Sequence, residues 1–466
     1  MRTPTIVPEF DPVLVARYDV PGPRYTSYPT APHFHVGFDE AAYRAEAMAS
    51  NASSSPRPLS LYVHVPFCFS PCFYCGCTRV ITRDAARADH YLDVLLREIA
   101  LTGSLFDRER PVLQLHLGGG TPNFLDAPRM ARLVAALEGS FAYRRDGVRE
   151  YGIEVDPRYA DARYVRDLAA LGFNRLSVGI QDFDADVQVA VNRIQSVEQT
   201  REVIDGAREA GYGSVSVDLI YGLPCQTLDG FRRTLDQVIA LAPDRVAVYG
   251  YAHLPHLFKA QQQIEDADLP DASTRLALFG EAFRMLCEAG YVYVGMDHFA
   301  RADDELVRAQ RAGTLQRNFQ GYSTHGDCDI VGLGVSSISR VGDSYSQNAR
   351  ELVGYEAALA AGQLPVSRGI RLSDDDRVRR ALIGELMCHG QLDMPRFGQR
   401  HGLRFDEAFA PELEGLAACV DDGLVALDAN LIRVTPRGRL LLRNVAMCFD
   451  AYLGKAADTP RYSRTI

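Results

Sequence analysis

The 466-residue chain has no tryptophan, and only two of its fifty basic residues are lysines, Lys259 and Lys455. Any anionic ligand must therefore be met by arginines. No apolar run approaches the roughly 18 residues of a membrane span. The opening "MRTPTIVPEFDP" lacks the basic-then-apolar order of a signal peptide, so a cytoplasmic protein is expected. Positive charge is in deficit: the net charge is −10 and the pI near 5.6, which argues against a general nucleic-acid binder. A disulfide framework is also lacking. Six of the ten cysteines (Cys225, Cys287, Cys328, Cys388, Cys419 and Cys448) are scattered singly, as suits a reducing compartment.

What is present is a change of texture along the chain. Residues 1–58, with "PGPRYTSYPTAPHF", show neither a strand nor a helix period and read as an arm that wraps the rest. From residue 59 short apolar strands alternate with helical stretches: "LSLYVHV", "VLQLHL", "YGIEV", "RLSVGI", "SVSVDLI" and "RVAVYGY". This alternation implies parallel strands joined by right-handed crossovers. Six units suit an α/β fold with a partial or complete β/α barrel over residues 59–369, an open doubly wound sheet being the alternative. Chemistry in a barrel sits at the C-terminal strand ends. There the sequence places a cysteine cluster after strand one, "GGGTP" after strand two, Glu154 and Gln181 at the ends of strands three and four, and Asp218 late in strand five. Residues 370–466 read as helices, a hairpin and a last helix. This is a small, mainly helical, winged-helix-like domain, expected to cap the barrel rather than bind DNA.

The segment "FCFSPCFYCGC" puts four cysteines into residues 67–77. Cys68, Cys72 and Cys75 form C-x3-C-x2-C, and Cys77 follows. Structural zinc usually joins two separated ligand pairs. A redox dithiol uses two sulfurs and leaves Cys68 unexplained. A [4Fe–4S] cluster is larger and can be held by three cysteines that leave one iron open. Glycines after a strand let the backbone approach a ligand closely, so "GGGTP" beside such a cluster reads as a ligand loop.

With its three cysteines, Tyr74 before the last of them, and "GGGTP", the sequence resembles the radical S-adenosylmethionine enzymes. More narrowly, "GPRYTSYPTA", "LYVHVPFC", "CFYCGC", "HLGGGTP", "IEVDPR", "GFNRLSVGIQDF", "DLIYGLP", "RNFQGYST" and "GRLLLRNVAMCFD" resemble the oxygen-independent coproporphyrinogen III oxidase family, from about residue 20 to the end. The resemblance implies a 5′-deoxyadenosyl radical, made at a [4Fe–4S] cluster on Cys68, Cys72 and Cys75, that removes a β-hydrogen from each of two propionates of coproporphyrinogen III. Loss of CO2 and an electron then leaves vinyl groups and gives protoporphyrinogen IX. It implies that Tyr62, Gly119, Glu154 and Ile338 contact the cluster-bound S-adenosylmethionine and that Tyr74 packs on adenine. Gly120, Thr121, Gln181, Arg193, Asp218 and Ala252 match a second S-adenosylmethionine site. Arg24, in the arm, together with Phe319 and Gln320, is a candidate for contact with the substrate. A low-potential electron-donor protein, an electron acceptor and a monomeric chain complete the expectation.

Cys77 is expected not to be a ligand, and Cys225 stands where related chains carry Lys. The rival reading is a heme chaperone of the same superfamily. Those proteins typically lack the arm, carry Phe where Cys77 stands and bear a His-Asn-x-x-Tyr-Trp motif. This chain reads Arg317-Asn318-Phe319-Gln320-Gly321-Tyr322-Ser323 and has no Trp, which favours the enzyme.

Overall fold

The computed structural model describes residues 9–453 together with 462 and 464. Six parallel strands follow one another in chain order: Leu59–Val65, Val112–Gly119, Glu150–Val155, Arg175–Gln181, Ser214–Tyr221 and Arg245–Gly250. A seventh, Asp329–Leu333, returns from far along the chain to pair in parallel with the first. The first strand is buried at every position but Tyr62, the near-continuous apolar pattern of a strand covered on both faces. The fourth strand alternates instead. Leu176, Val178 and Ile180 are buried against the helical layer, while Ser177 turns into the barrel.

The crossover helices start at polar caps. Asp84, Asp126, Asp161, Ser196, Thr227 and Asp271 each accept a backbone N–H from the first turn of the helix that follows. Each cap is worth about 1 kcal/mol, and together they fix where each crossover begins.

Among the described residues the barrel is partial. Beyond the seventh strand lie three antiparallel ones, Ile338–Val341, Ser344–Asn348 and Val366–Arg371. Beyond the sixth lie His298–Arg301 and Tyr291–Gly295, also antiparallel, and the two ends of the twelve-stranded sheet do not pair. At both edges the strands pair antiparallel, so the parallel winding that would close the barrel stops there.

The arm differs from the expectation of a segment without a helical period. It contains the helices Pro12–Tyr18 and Glu40–Asn51. The second is capped by Asp39, is rich in alanine and buries Tyr43 and Ala47. Its end is fastened to the barrel by a buried carboxylate: Asp329 takes Arg110 at 2.6 Å and the Ser50 hydroxyl. Removing one partner of such a buried pair costs about 3–5 kcal/mol.

After the sheet come the helix Asp374–His389, the short strand Gln391–Asp393, the helix Met394–His401 and a hairpin, Val425–Leu427 with Leu431–Val434, that pairs back onto Gln391–Asp393. This is the element order of a winged helix. Its core residues Leu382, Leu386, Phe397 and Val434 are continuous with Tyr25 and Tyr28 of the arm and Val294 of the sheet edge. The module therefore packs on the arm and on that edge of the sheet. No helix among the described residues is long and apolar enough to cross a membrane.

Candidate active site

The chain leaves the first strand through Phe67–Cys68, which pairs in parallel with Val80–Ile81. Val80 N donates to Pro66 O at 2.6 Å and Thr82 N to Cys68 O at 3.0 Å, so the cysteine loop is clamped at both ends. Cys68 and Cys72 are buried, Cys75 is half-buried and Cys77 is exposed. Each of the first three sulfurs faces a hydrogen-bond donor. Thr121 Oγ1 lies 3.4 Å from Cys68 Sγ, and Arg158 and Arg193 each place an Nη 3.6 Å from Cys72 Sγ. The Cys77 N–H donates to Cys75 Sγ at 3.4 Å.

Hydrogen bonding from Cys77, together with the nearby Arg79, pulls the Cys75 thiol below its ordinary range, whereas burial pushes Cys68 up to about 11. Against its burial, Arg193 and Arg158 hold the Asp156 carboxyl below its usual value and are themselves oriented by it, at 3.0 and 2.7 Å. Three thiols on one loop, each facing a hydrogen-bond donor, fit an iron–sulfur cluster. Among the described residues no three His, Cys, Asp or Glu side chains are gathered tightly enough for a single metal ion.

The glycine run lies against this loop. Gly120 N donates to Val65 O and Thr121 N to Phe67 O, both at 2.8 Å. Gly119 has φ +119°, and a Cβ there would stand 2.8 Å from the His64 ring; a Cβ on Gly120 would meet Phe67 O at 2.7 Å. Only glycine permits this approach. Next to it, Tyr62 OH is 3.2 Å from His64 Nδ1 and its ring stacks on His116 with centroids 6.0 Å apart. His116 Nε2 is 3.0 Å from Glu154.

His116, Glu154, Asp218, Tyr249 and Gln320 line a cavity of about 200 Å3 inside the barrel. Ser177 donates to Asp218 at 3.1 Å, and burial together with the charge of Glu154 pushes the Asp218 carboxyl up to about 7.

The remaining residues singled out in the sequence spread outward from this centre. Gln181 ends the fourth strand at φ +68°. Arg193 lies under the cysteine loop, with Nη2 donating to Gly179 O at 2.7 Å. The carbonyls of Tyr74 and Ala252 are bridged by the Gln261 amide at 2.9 and 3.1 Å, and the Tyr74 ring packs on an apolar cluster that includes Val191 and Tyr251. Ile338 begins the antiparallel strand beyond the seventh. Arg24 is apart from the cysteines: it pairs with Asp297 and sits over the Tyr249 ring at 5.6 Å. Gln320, in the turn between Gln316–Asn318 and Gly321–Ser323, takes Ser60 Oγ at 3.5 Å, and Phe319 meets Tyr345 edge-on at 5.8 Å. Cys225 is exposed at φ +60°, and nothing in the structure explains it.

Sequence reading missed Asp156 and Arg158, although both stand in "IEVDPR", and His116, which opens "HLGGGTP". Asp297 was missed too, although it stands in "GMDHFA", another run that resembles the family, and Gln261 carried no signal.

Residues 62–238 match the model of the Radical SAM superfamily, and residues 372–441 match that of the HemN C-terminal domain. An oxygen-independent coproporphyrinogen III oxidase from Pseudomonas aeruginosa is 49% identical over 464 residues, covering 98% of this chain and 99% of that one. The protein of the same name from Escherichia coli K12 is 46% identical over 458 residues, with the same coverages. The solved structure described as "Coproporphyrinogen III oxidase (HemN) from Escherichia coli is a Radical SAM enzyme" superposes with a TM-score of 0.91, over 96% of this chain and 100% of that one. The chain belongs to the oxygen-independent coproporphyrinogen III oxidases, radical SAM enzymes of heme biosynthesis. Membership brings with it a [4Fe–4S] cluster and S-adenosylmethionine, and the heme-chaperone reading is not favoured.

Proposed function

We propose that this enzyme works with two S-adenosylmethionine molecules per chain, one on the cluster held by Cys68, Cys72 and Cys75 and one beside it. When bound, these groups supply a 5′-deoxyadenosyl radical able to take a β-hydrogen from a propionate of coproporphyrinogen III, which then loses CO2 and an electron to become a vinyl group. The chain's own task is to hold, orient and exclude water. Thr121, Arg158, Arg193 and the Cys77 N–H offer donors to the three sulfurs that would hold the cluster. Tyr62, Gly119, Glu154 and Ile338 take the cluster-bound cofactor. Gly120, Thr121, Gln181, Arg193, Asp218 and Ala252 take the second, and the Tyr74 ring packs on adenine. Glu154 and Asp218 offer carboxyl oxygens to hydroxyl or ammonium groups.

The arm, residues 1–58, and the cap, residues 370–466, enclose the barrel of residues 59–369, with Arg24, Phe319 and Gln320 facing the substrate. A low-potential protein supplies electrons, a separate acceptor takes them from the substrate, and the chain acts as a cytoplasmic monomer. The observation that carries this reading is the arrangement of cysteine loop, glycine run and two carboxylates at one end of one parallel sheet.

The test is an anaerobic turnover assay with reconstituted protein, a low-potential reductant, S-adenosylmethionine, coproporphyrinogen III and a cell extract as the source of the electron acceptor, paired with equilibrium dialysis of S-adenosylmethionine. Protoporphyrinogen and two bound S-adenosylmethionine molecules per chain are expected. Cofactor cleavage without decarboxylation would sink the substrate assignment, and a stoichiometry of one would sink the second cofactor site.

A further inference from the structure

The three sulfurs of the cysteine loop are not equally placed. Cys68 faces the Thr121 hydroxyl and Cys75 a backbone N–H, each at 3.4 Å and each neutral. Of the three, only Cys72 has charged donors at its sulfur, with Arg158 Nη2 and Arg193 Nη1 each 3.6 Å away. Arg79, also beside the loop, directs its guanidinium to the main-chain carbonyls of Cys72 and Cys75 instead.

One carboxylate holds both arginines. Asp156 accepts the Arg158 main-chain N–H at 3.1 Å and grips its side chain at Nε, 3.0 Å, and at Nη2, 2.7 Å. Its Oδ2 also accepts from Arg193 Nη1 at 3.0 Å. The Asp156 main chain is fixed in turn by the Asn123 side chain, which bonds both its N–H and its carbonyl. Asp156 is 6% exposed, Arg193 7% and the Arg158 side chain 11%. Two cations therefore share one anion in this buried set, and each points a nitrogen at Cys72. An unmatched buried charge is costly, and arginine cannot give up its proton to escape the cost. The Cys72 thiolate is the counter-ion at hand.

Charge gathered at one sulfur has a redox consequence. An added electron makes a thiolate-bound cluster more anionic, and hydrogen bonds and positive charge at the sulfurs favour that reduced form. We infer that Arg158, aimed by Asp156, raises the reduction potential of the cluster by setting a buried positive charge against the Cys72 thiolate. One electron passes from the low-potential donor protein to the cluster, and no bond to Arg158 is made or broken. Arg158 acts through Cys72 and is a positioning residue. The inference rests on the ligand set proposed above and adds to it a reason why one ligand of three is met by cations.

The test is a redox titration of the reconstituted full chain, followed by electron paramagnetic resonance without S-adenosylmethionine, with iron and sulfide measured on every sample. In Arg158→Gln the equilibrium constant for one-electron reduction should fall about tenfold, a drop of about 59 mV in midpoint potential. Asp156→Asn removes the anion and should move the potential the other way, an opposition of sign that loosened packing would not give. Where one variant fails to hold iron, the other decides. Arg158→Lys keeps the charge without the fork and should fall less far than Arg158→Gln. S-adenosylmethionine affinity of Arg158→Gln by equilibrium dialysis should match the parent. An unchanged potential in either Arg158→Gln or Asp156→Asn with full iron would overturn the inference. Parent-like iron and sulfide in Cys72→Ser is the separate result that would overturn the ligand set.

Discussion

Two regions beside the barrel are built in opposite ways. The cysteine mouth is made from short contiguous runs, residues 67–77 and 118–122, laid against each other by backbone hydrogen bonds at the exit of the first strand. A cleft of about 1460 Å3 between the barrel, the arm and the C-terminal module is made from single residues: Arg317 from the strand Gln316–Asn318, Arg340 from Ile338–Val341 and Arg380 from the helix Asp374–His389. A cluster and a nucleoside need several groups at fixed short spacing, which a loop supplies. Charges many ångströms apart can come only from different segments of the fold.

The strongest way to test this contrast is at the mouth. Cys75→Ser should abolish turnover and cut cluster iron and sulfide measured after reconstitution. Next in size is Gly120→Ala. Its Cβ would press on Phe67 O and on the Pro66 backbone, neither of which can swing away, so about 1–3 kcal/mol of strain falls on the cysteine loop. Urea midpoints and cluster content should both drop.

A smaller effect belongs to Asp218. Its carboxyl titrates near 7 in the fold rather than at 3.8, so the folded chain holds that proton more tightly than the unfolded one. Its contribution to stability is full below about pH 4 and fades as pH rises to 7. Asp218→Asn removes that slope, so the variant should gain on the parent between pH 5 and pH 8 in unfolding midpoints. The smallest effect is at Cys77, which is exposed and gives Cys75 a backbone donor that serine retains. Iron and sulfide in Cys77→Ser should match the parent, and a loss equal to that of Cys75→Ser would mean that the mouth needs four sulfurs.

The same contrast explains what could be read from the sequence. The six strands of the barrel were legible to within two residues because each is an apolar run with a capped helix after it. The cysteine and glycine runs were legible because their chemistry is local. The helix Glu40–Asn51 was missed since its neighbours are rich in proline and tyrosine, although "DEAAYRAEAMASN" carries the Asp39 cap and the alanines that form it. Gln261, which ties the Tyr74 loop to Ala252, gave no sign because a glutamine in a loop has no periodicity to betray it. Arg317, Arg340 and Arg380 are unremarkable among dozens of arginines until the fold brings them to one cleft.

The parallel pairing of Phe67–Cys68 with Val80–Ile81 has a bearing on how the holoenzyme is assembled. Its hydrogen bonds belong to the main chain and owe nothing to iron, so the entropy of closing the ring is spent during folding rather than at loading. Metal delivery then resembles filling a mould rather than casting one. A chain stripped of its cluster by air should keep its sheet and accept a new one, unlike a zinc finger, which collapses without its ion.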